Sequence, residues 1–338
     1  MRCNYGVFQV VLLILVAIFL ILGALVALYS KFSTKVPEHL LELSTDEKRD
    51  FINSFDHVIS DCDGVVWLVV GGIEGAGKGF MSLKEAGKSL KFISNNALRT
   101  DEDYIKKLSA LGIDNVNPDD LIHPDKTIVT YLKSKPKYKN IFAIVGTNFR
   151  EELIKNGYNV DEKPDISKPF TMKTFAENVV PSNSIDAVIM DIDLDLTYAR
   201  FCRGLLYAKM YPDCDLIVGA TDNLIPIVQD VMIPGPHKMI EFMEKYSGKK
   251  AVVLGKPGEK LGDHVMELYN ITVPERNLFI GDNLEADIGF GKSLGFQTLF
   301  VLTGAHTYED MMNSPDENKP SYYADSIADF VKFFESLN

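Results

Sequence analysis

Two aspartates separated by one residue follow a short apolar run. Asp61 and Asp63 stand in the stretch FDHVISDCDGVVW, directly after Val58 and Ile59, which are typical of the end of a buried strand. A buried carboxylate costs free energy unless a positive group holds it. The pair therefore indicates that a positively charged group or ion lies at the end of this strand.

Polar side chains also end three later strand-like runs. Ser94 and Asn95 follow SLKFI, Lys256 follows AVVLG, and Asp282 follows NLFIG. Helix-like segments alternate with these runs, which favours βαβ units and a mostly parallel sheet. Ligands of such sheets bind beyond the carboxyl ends of the strands, so we expect all of these side chains at one place.

The expected cluster has the composition of a phosphate and metal site. Three carboxylates repel one another unless a cation lies among them, and oxygen ligands without a neighbouring histidine favour Mg²⁺ over zinc. Mg²⁺ prefers one or two carboxylates together with phosphate oxygens. Lys256 adds a fixed positive charge, and Ser94 and Asn95 add neutral donors. The combination indicates phosphoryl transfer, in which positioning and charge neutralisation supply most of the catalysis.

The two aspartates suit two different steps of such a reaction. Asp61 can attack phosphorus and form an aspartyl-phosphate. Asp63 can protonate the leaving oxygen and then activate a water molecule. Gly64 permits a tight turn of the backbone after the strand. Any one of these residues alone would be interpreted as a solvated loop residue, but their order at four strand ends favours a phosphomonoester hydrolase.

The segments around these residues resemble a known superfamily. DCDGVVW, FISNNALRT, VLGKPG and IGDNLEADIGFGKSLGFQTLFVLTG are similar to the four motifs of the haloacid dehalogenase superfamily, and most of all to its p-nitrophenylphosphatase-like branch. The resemblance extends over about residues 50–335. It implies an α/β fold, with a Rossmann-like core built on a parallel sheet and a large α/β cap inserted between the second and third motifs. The branch includes phosphoglycolate (glycerol-3-phosphate) phosphatase and pyridoxal phosphate phosphatase, which implies a small phosphorylated substrate.

The resemblance also implies a role for each residue. Asp61 corresponds to the nucleophile, and Asp63 to the general acid and base. The residues implied to hold phosphate are Ser94, Asn95 and Lys256. The implied Mg²⁺ ligands are Asp61, the main-chain carbonyl of Asp63, and Asp282. Asp287 corresponds to an outer acidic residue that supports the metal site.

Two segments of the predicted cap resemble the substrate-facing loops of the branch, and each carries an aspartate. Asp193 lies in MDIDLDLTYA, and Asp222 stands in GATDNLIP where the branch usually has an asparagine. If both carboxylates face the pocket, they disfavour strongly anionic leaving groups. We therefore predict that Asp193 and Asp222 determine substrate specificity.

An apolar segment of 23 residues lies near the N-terminus. Val7–Tyr29 contains no charged residue and as a helix would span roughly 34 Å, enough to cross a bilayer core of about 30 Å. Because the apolar part of a cleavable signal peptide is usually shorter, we predict a retained, single-pass membrane anchor. The flanking charges leave its orientation open, while four cysteines without a disulfide pattern and a Mg²⁺ site favour a cytosolic catalytic domain. An anchor would place the site near lipid, so an isoprenyl phosphate such as farnesyl phosphate is an alternative substrate.

The sequence patterns also predict the limits of each part of the chain. The predicted parts are residues 1–30 (membrane anchor), 31–50 (tether and short helix), 51–114 (first part of the core), 115–235 (cap) and 236–338 (second part of the core). A homodimer formed through the cap is a further expectation.

Other function classes have weaker support. The net charge of −12 opposes nucleic-acid binding, which needs a basic face. The segment GIEGAGKG at Gly72–Gly79 nearly matches a nucleotide-binding P-loop, but Gly79 stands where a serine or threonine would hold Mg²⁺. An inactive, membrane-tethered binding protein is opposed by the complete set of predicted catalytic residues.

Overall fold

The structure is a computed structural model, and it describes residues 36–161, 171–181, 183–228 and 231–337. The chain divides into two units, Met1–Val36 and Pro37–Asn338, and the second is the one described below. The predicted membrane anchor lies outside the described residues and stays a prediction. No helix within the described residues is both long enough and apolar enough to cross a membrane.

The core of the protein is built on a parallel sheet, which has seven strands in the described part of the chain. In spatial order they are β1 (Glu38–His39), β16 (Tyr322–Ala324), β15 (Gln297–Val301), β14 (Asn277–Gly281), β2 (His57–Ser60), β5 (Ser89–Ile93) and β6 (Leu121–Ile122). Every neighbouring pair is parallel. Because helices cover both faces, the central strands are continuous apolar runs, as in Val58–Ile59 and Phe279–Ile280.

A second parallel sheet forms the cap. Its strands are, in spatial order, β13 (Val252–Val253), β10 (Asp215–Val218), β9 (Ala187–Met190), β7 (Asn140–Ile144) and β8 (Asn159–Val160). Alternate residues of β7 enter two different apolar clusters: Ile141 and Ala143 pack in one, and Phe142 and Ile144 in the other. The predicted α/β architecture, with a parallel core sheet and a separate cap, is confirmed.

Twelve α-helices surround the two sheets in the described residues. They are α1 (Thr45–Asn53), α2 (Ala76–Glu85), α3 (Asp101–Ala110), α4 (Pro124–Lys133), α5 (Thr147–Lys155), α6 (Met172–Val179), α7 (Tyr198–Met210), α8 (His237–Ser247), α9 (Glu259–Leu268), α10 (Phe290–Ser293), α11 (Tyr308–Asn313) and α12 (Asp329–Glu335). A π-helical turn, Leu284–Gly289, precedes α10. Helix α3 begins at a capping box, in which the Thr100 hydroxyl accepts from the Asp103 N–H and the Asp103 carboxylate accepts from the Thr100 N–H.

Two antiparallel hairpins contact each other near the carboxyl ends of the core strands. One joins β3 (Trp67–Leu68) to β4 (Gly71–Gly72) in the core, and the other joins β11 (Leu224–Val228) to β12 (Val231–Pro234) in the cap. Strand β11 contacts strand β3. The cap hairpin therefore meets the loop that follows Asp61 and Asp63.

The structure places the limits between core and cap differently from the sequence prediction. Strand β6 pairs with β5 in the core sheet, so the first part of the core extends past residue 114 to Ile122. Strand β13 pairs with β10 in the cap sheet, so the cap extends past residue 235 to Val253. Each of these strands has only two residues. A run this short carries no pattern that assigns it to one sheet or the other, because that assignment depends on long-range pairing.

Candidate active site

Asp61 stands at the carboxyl end of β2, in the middle of the core sheet. Its N–H donates to the Ile280 carbonyl at 2.9 Å, which extends the pairing of β2 with β14 by one residue. The side chain is buried, and its Oδ1 lies 2.8 Å from the Lys256 Nζ. The strand pairing therefore fixes the backbone of Asp61, and the lysine fixes its carboxylate.

Lys256 joins two carboxylates inside the protein. Its Nζ lies 2.8 Å from Asp61 Oδ1 and 2.6 Å from Asp287 Oδ1, and its side chain is 2% exposed. Burial alone would lower the pKa of Lys256, but the Asp287 and Asp61 carboxylates outweigh burial and raise it. The lysine is therefore a permanent positive charge beside Asp61.

Three carboxylates cluster around this lysine. Oxygens of Asp61, Asp282 and Asp287 all lie within 4.8 Å of one another. Burial raises the pKa of Asp61 well above its usual range, in part offset by Lys256, and the neighbouring carboxylates raise it further. Burial, and then the Asp287 charge, raise the pKa of Asp282 to about 7. One lysine does not balance three buried carboxylates, and an all-oxygen donor set of this kind suits Mg²⁺.

Asp287 is held differently from the other two carboxylates. Its Oδ1 accepts from Lys256, and its Oδ2 accepts from the main-chain N–H groups of Asp282 at 3.2 Å and Asn283 at 3.0 Å. Both of its oxygens are thus engaged with the protein. Asp287 is placed to orient Lys256 and the Asp282 loop, and its outer position at the metal site stays a prediction.

Two glycines let the backbone approach Asp282. A Cβ added to Gly304 would lie 1.9 Å from Asp282 Oδ2, and one added to Gly64 would lie 2.3 Å from it. Gly64 also has a φ of +89°, a backbone conformation that residues other than glycine rarely adopt. Ala305, after Gly304, donates its N–H to Asp282 Oδ2 at 2.6 Å. Sequence reasoning identified Gly64 but missed Gly304, whose role depends on a contact across the chain.

Asp63 lies apart from Lys256 and has its own partners. Its Oδ1 accepts from the Trp67 Nε1 at 3.0 Å and from the Arg99 Nη1 at 3.3 Å. Its Oδ2 lies 3.4 Å from both the Arg99 Nη1 and the Ser94 Oγ. Sequence reasoning missed Arg99, although it stands inside the FISNNALRT segment.

Two of the predicted phosphate-binding residues, Ser94 and Asn95, lie beside Asp63 and beside the third, Lys256. Ser94 is buried, and its Oγ accepts from the Tyr104 hydroxyl at 2.9 Å. The Asn95 Oδ1 accepts from the Lys256 N–H at 2.8 Å, and its Nδ2 donates to the Lys256 carbonyl at 3.1 Å. Asn95 therefore ties the loop after β5 to the segment that returns from the cap.

A cavity of about 80 Å³ brings most of the predicted residues together. The predicted residues that line it are Asp61, Asp63, Ser94, Asn95, Asp222, Lys256, Asp282 and Asp287. Asp222 accepts from the Asn95 Nδ2 at 3.0 Å, and burial raises its pKa to about 6, in part offset by Lys256.

Asp193 is not part of this cavity. Its carboxylate pairs with the guanidinium of Arg200 on α7, and both side chains are buried. The neighbouring Ile192 lines the cavity instead. In the described part of the chain, an ion pair within the cap thus holds the Asp193 side chain outside the cavity lining, and its specificity role stays a prediction.

The glycines of the P-loop-like segment have a packing role. A Cβ at Gly77 would lie 1.7 Å from the Leu111 carbonyl oxygen, and one at Gly79 would lie 2.2 Å from the Ile327 carbonyl oxygen. Both glycines lie on α2, where the helix approaches the main chain of other segments. Close packing explains them without a nucleotide.

Comparisons with known proteins identify the family of this chain. Residues 58–159 match the model of the haloacid dehalogenase-like hydrolases, and residues 253–330 match the HAD-hydrolase-like model. The chain belongs to the haloacid dehalogenase superfamily. Within it, the chain falls in the branch of p-nitrophenyl, phosphoglycolate and glycerol-3-phosphate phosphatases, and it is a phosphatase.

Relatives of this superfamily member align over most of their length. Phosphoglycolate phosphatase 2 from Arabidopsis thaliana is 26% identical over 87% of this chain and 98% of its own. Glycerol-3-phosphate phosphatase from Gallus gallus is 28% identical over 87% of this chain and 96% of its own. The structure of glycerol phosphate phosphatase from Mycobacterium tuberculosis in complex with magnesium is 18% identical, with a TM-score of 0.65 over 82% of this chain and 77% of that one. This last likeness concerns the fold.

We predict that Mg²⁺ raises the melting temperature more at about pH 8 than at about pH 5. The folded-state pKa of Asp282, about 7, lies above its usual value of 3.8. Between pH 3.8 and pH 7 the folded protein therefore binds more protons than the unfolded chain, and without metal its stability falls as the pH rises through this range. Mg²⁺ competes with protons for these oxygens, so its stabilising effect should grow over the same range. Thermal unfolding with and without Mg²⁺ measures this.

The control is Asp282→Asn, in which the effect of Mg²⁺ at the higher pH should shrink. An equal effect of Mg²⁺ at both pH values in the unsubstituted protein would place the metal away from these carboxylates.

Proposed function

We propose that this protein hydrolyses a small phosphomonoester in a Mg²⁺-dependent reaction that passes through an aspartyl-phosphate on Asp61. The main support is the different surroundings of two carboxyls in one cavity. Asp61 is buried against Lys256, whereas Asp63 is partly exposed and held by Trp67 and Arg99. Two carboxyls in such different settings suit two roles, a nucleophile and a proton carrier.

In the first step, a carboxylate oxygen of Asp61 forms a bond to phosphorus while the bond from phosphorus to the leaving oxygen breaks. Asp63 gives its proton to that oxygen, and the alcohol leaves. In the second step, Asp63 takes a proton from water, and the water oxygen attacks phosphorus. The bond from phosphorus to Asp61 then breaks, which releases inorganic phosphate and restores both carboxyls.

Lys256, Ser94 and Asn95 line the cavity in which the phosphate would lie. Lys256 would balance the charge of the transferred group and hold Asp61 in line for attack. Mg²⁺, held by Asp61, Asp282 and the main-chain carbonyl of Asp63, would supply further charge neutralisation. Asp287 would keep Lys256 and the Asp282 loop in place.

For the substrate, we propose phosphoglycolate, glycerol phosphate or p-nitrophenyl phosphate. The support comes from the relatives: phosphoglycolate phosphatase 2 and glycerol-3-phosphate phosphatase align over 87% of this chain. Asp222 lies at the side of the cavity that the cap contributes. A carboxylate there would favour a neutral leaving group such as glycerol over an anionic one such as glycolate.

A second candidate substrate is an isoprenyl phosphate such as farnesyl phosphate. Apolar side chains line the same cavity, among them Val69, Ile192 and Leu224. A neighbouring cleft of about 900 Å³ shares Leu224 and Asp222 with it, and its volume is in the range of about 300–1,000 Å³ that is usual for larger ligands. These features would accommodate a long apolar leaving group.

We further propose that residues 1–30 anchor the protein in a membrane with the catalytic domain in the cytosol, and that a homodimer forms through the cap. The uncharged segment Val7–Tyr29 supports the anchor. Exposed apolar side chains on cap helices, such as Phe242 and Tyr246 on α8, support the dimer.

We predict that Asp61→Asn abolishes turnover of every phosphomonoester, because an amide is a poor nucleophile. Asp63→Asn should lower kcat by about 10² to 10⁴, the usual value of general acid–base catalysis. Steady-state assays with Mg²⁺ and p-nitrophenyl phosphate measure both. Asp46→Asn on the exposed face of α1 is the control and should leave kcat unchanged. A near-normal rate in Asp61→Asn would remove this residue as the nucleophile.

We predict that Asp222→Asn raises kcat/KM for phosphoglycolate relative to glycerol phosphate, because it removes a negative charge beside the leaving group. The expected change in the ratio is about tenfold, equivalent to about 1.4 kcal/mol. The same assay with farnesyl phosphate compares kcat/KM for this second candidate substrate with the values for phosphoglycolate and glycerol phosphate. The cap control is Asp213→Asn, which should leave the ratio unchanged because this exposed residue lies outside the cavity. An unchanged ratio in Asp222→Asn would count against a role for this carboxylate.

We predict that the full chain stays in the membrane fraction of cells after a carbonate wash, and that a protein without residues 1–30 does not. The uncharged apolar segment is long enough to span a bilayer. The shortened protein should keep its kcat on p-nitrophenyl phosphate. Release of the full chain by carbonate would contradict the anchor.

A further inference from the structure

Arg99 holds a position that the roles proposed above for the site residues do not explain. Its Nη1 lies 3.3 Å from Asp63 Oδ1 and 3.4 Å from Asp63 Oδ2, so one nitrogen faces both oxygens of that carboxyl. Asp61, in contrast, is paired with Lys256. Each of the two aspartates thus has a different cation beside it.

Arg99 is itself held in place by two buried rings. Its guanidinium carbon lies 5.8 Å from the centre of the Trp67 ring and 5.9 Å from that of Tyr104, and both rings are buried. These distances suit cation–π attraction. The Tyr104 hydroxyl oxygen lies 2.6 Å from the Asn96 carbonyl oxygen and 2.9 Å from the Ser94 Oγ, and these contacts fix the ring. The side chain of Arg99 is 21% exposed, so it is a fixed group at the edge of the site.

Trp67 completes the support of Asp63. Its Nε1 donates to Asp63 Oδ1 at 3.0 Å, and the Asp63 main chain forms a bridge with that of Trp67. The indole and the guanidinium together limit rotation of the carboxyl. Trp67 and Arg99 therefore hold the Asp63 oxygens in place.

We propose that Arg99 is a positioning residue that holds the Asp63 carboxyl where it can pass a proton to the leaving oxygen and later accept one from water. This inference rests on the proposed function. It assigns no phosphate contact to Arg99. Its effect should therefore depend on how much a substrate needs proton transfer, and not on how tightly the phosphate is bound.

The test compares two substrates whose leaving groups differ in basicity. Glycerol phosphate releases a strongly basic alkoxide that needs a proton, whereas p-nitrophenyl phosphate releases a weakly basic phenolate that does not. For Arg99→Gln, kcat/KM for glycerol phosphate should fall about 10- to 100-fold more than kcat/KM for p-nitrophenyl phosphate. Arg99→Lys, which keeps the charge but not the planar group, should recover part of this difference.

A second measurement follows the intermediate directly. With p-nitrophenyl phosphate, formation of the aspartyl-phosphate should stay fast in Arg99→Gln, while its hydrolysis should slow because Asp63 is no longer held where it can take a proton from water. Stopped-flow assays should then show a burst of p-nitrophenol that approaches the enzyme concentration. A role of Arg99 in stability alone would not produce such a burst.

Lys106→Ala is the matched control. Lys106 is an exposed residue of α3, the helix that also carries Tyr104, and it does not line the cavity. This variant should leave the ratio of the two kcat/KM values unchanged and show no burst.

The possible failures are distinguishable. If the unsubstituted protein hydrolyses no phosphomonoester, the proposed function fails. If that protein is active but Arg99→Gln lowers kcat/KM equally for both substrates, or leaves both unchanged, the positioning role is overturned. The melting temperature shows whether Arg99→Gln folds. If it does not, Arg99→Lys gives the same test of the ratio of the two kcat/KM values. Unchanged kcat/KM for both substrates in Arg99→Lys would contradict the need for a planar group at this position.

Discussion

The buried contact of Lys256 with Asp61 and Asp287 is the interaction on which the rest of the site depends. Two carboxylates inside a protein need a positive partner, and removal of such a partner typically costs about 3–5 kcal/mol because a buried charge is left unpaired. The lysine orients Asp61, the proposed nucleophile, and also receives support from Asp287, which in turn holds the Asp282 loop through two main-chain hydrogen bonds. A substitution of Lys256 should therefore change the positions of Asp61 and Asp287, and with them the proposed phosphate site and the proposed metal site.

Lys256 also lies where the chain returns from the cap to the core. Both its N–H and its carbonyl bond to Asn95, which belongs to the loop after β5. Just before it, the Leu254 carbonyl accepts from the Thr127 hydroxyl of α4 at 2.8 Å. Hydrogen bonds thus attach the segment that carries the lysine to the loop after β5 in the core and to helix α4. This arrangement gives a physical route by which the cap position can affect the charge beside Asp61.

The residues at the strand ends could be predicted because parallel strands deliver their carboxyl ends to one edge. Asp61, Asp63, Ser94, Asn95, Lys256 and Asp282 all follow apolar runs, and the structure brings them into one cavity. The division between core and cap could not be predicted as well, because β6 and β13 are only two residues long. The pairing of Asp193 with Arg200, seven residues further along the chain, could not be predicted either, because nothing in the local sequence pattern indicates it. The roles of Arg99 and Gly304 depend on contacts with Asp63 and Asp282 that form only in the folded protein, so the sequence alone does not show them.

In the proposed mechanism, Asp61 carries the phosphoryl group between the two steps. Rapid quenching of the full-length protein during turnover, followed by mass spectrometry of its peptides, would detect this intermediate. We expect one added phosphoryl group on the peptide that contains Asp61, sensitive to hydroxylamine as an acyl phosphate should be, and absent from Asp61→Asn. A phosphoryl group on another residue, or active turnover with no phosphorylated peptide under conditions that preserve acyl phosphates, would contradict it.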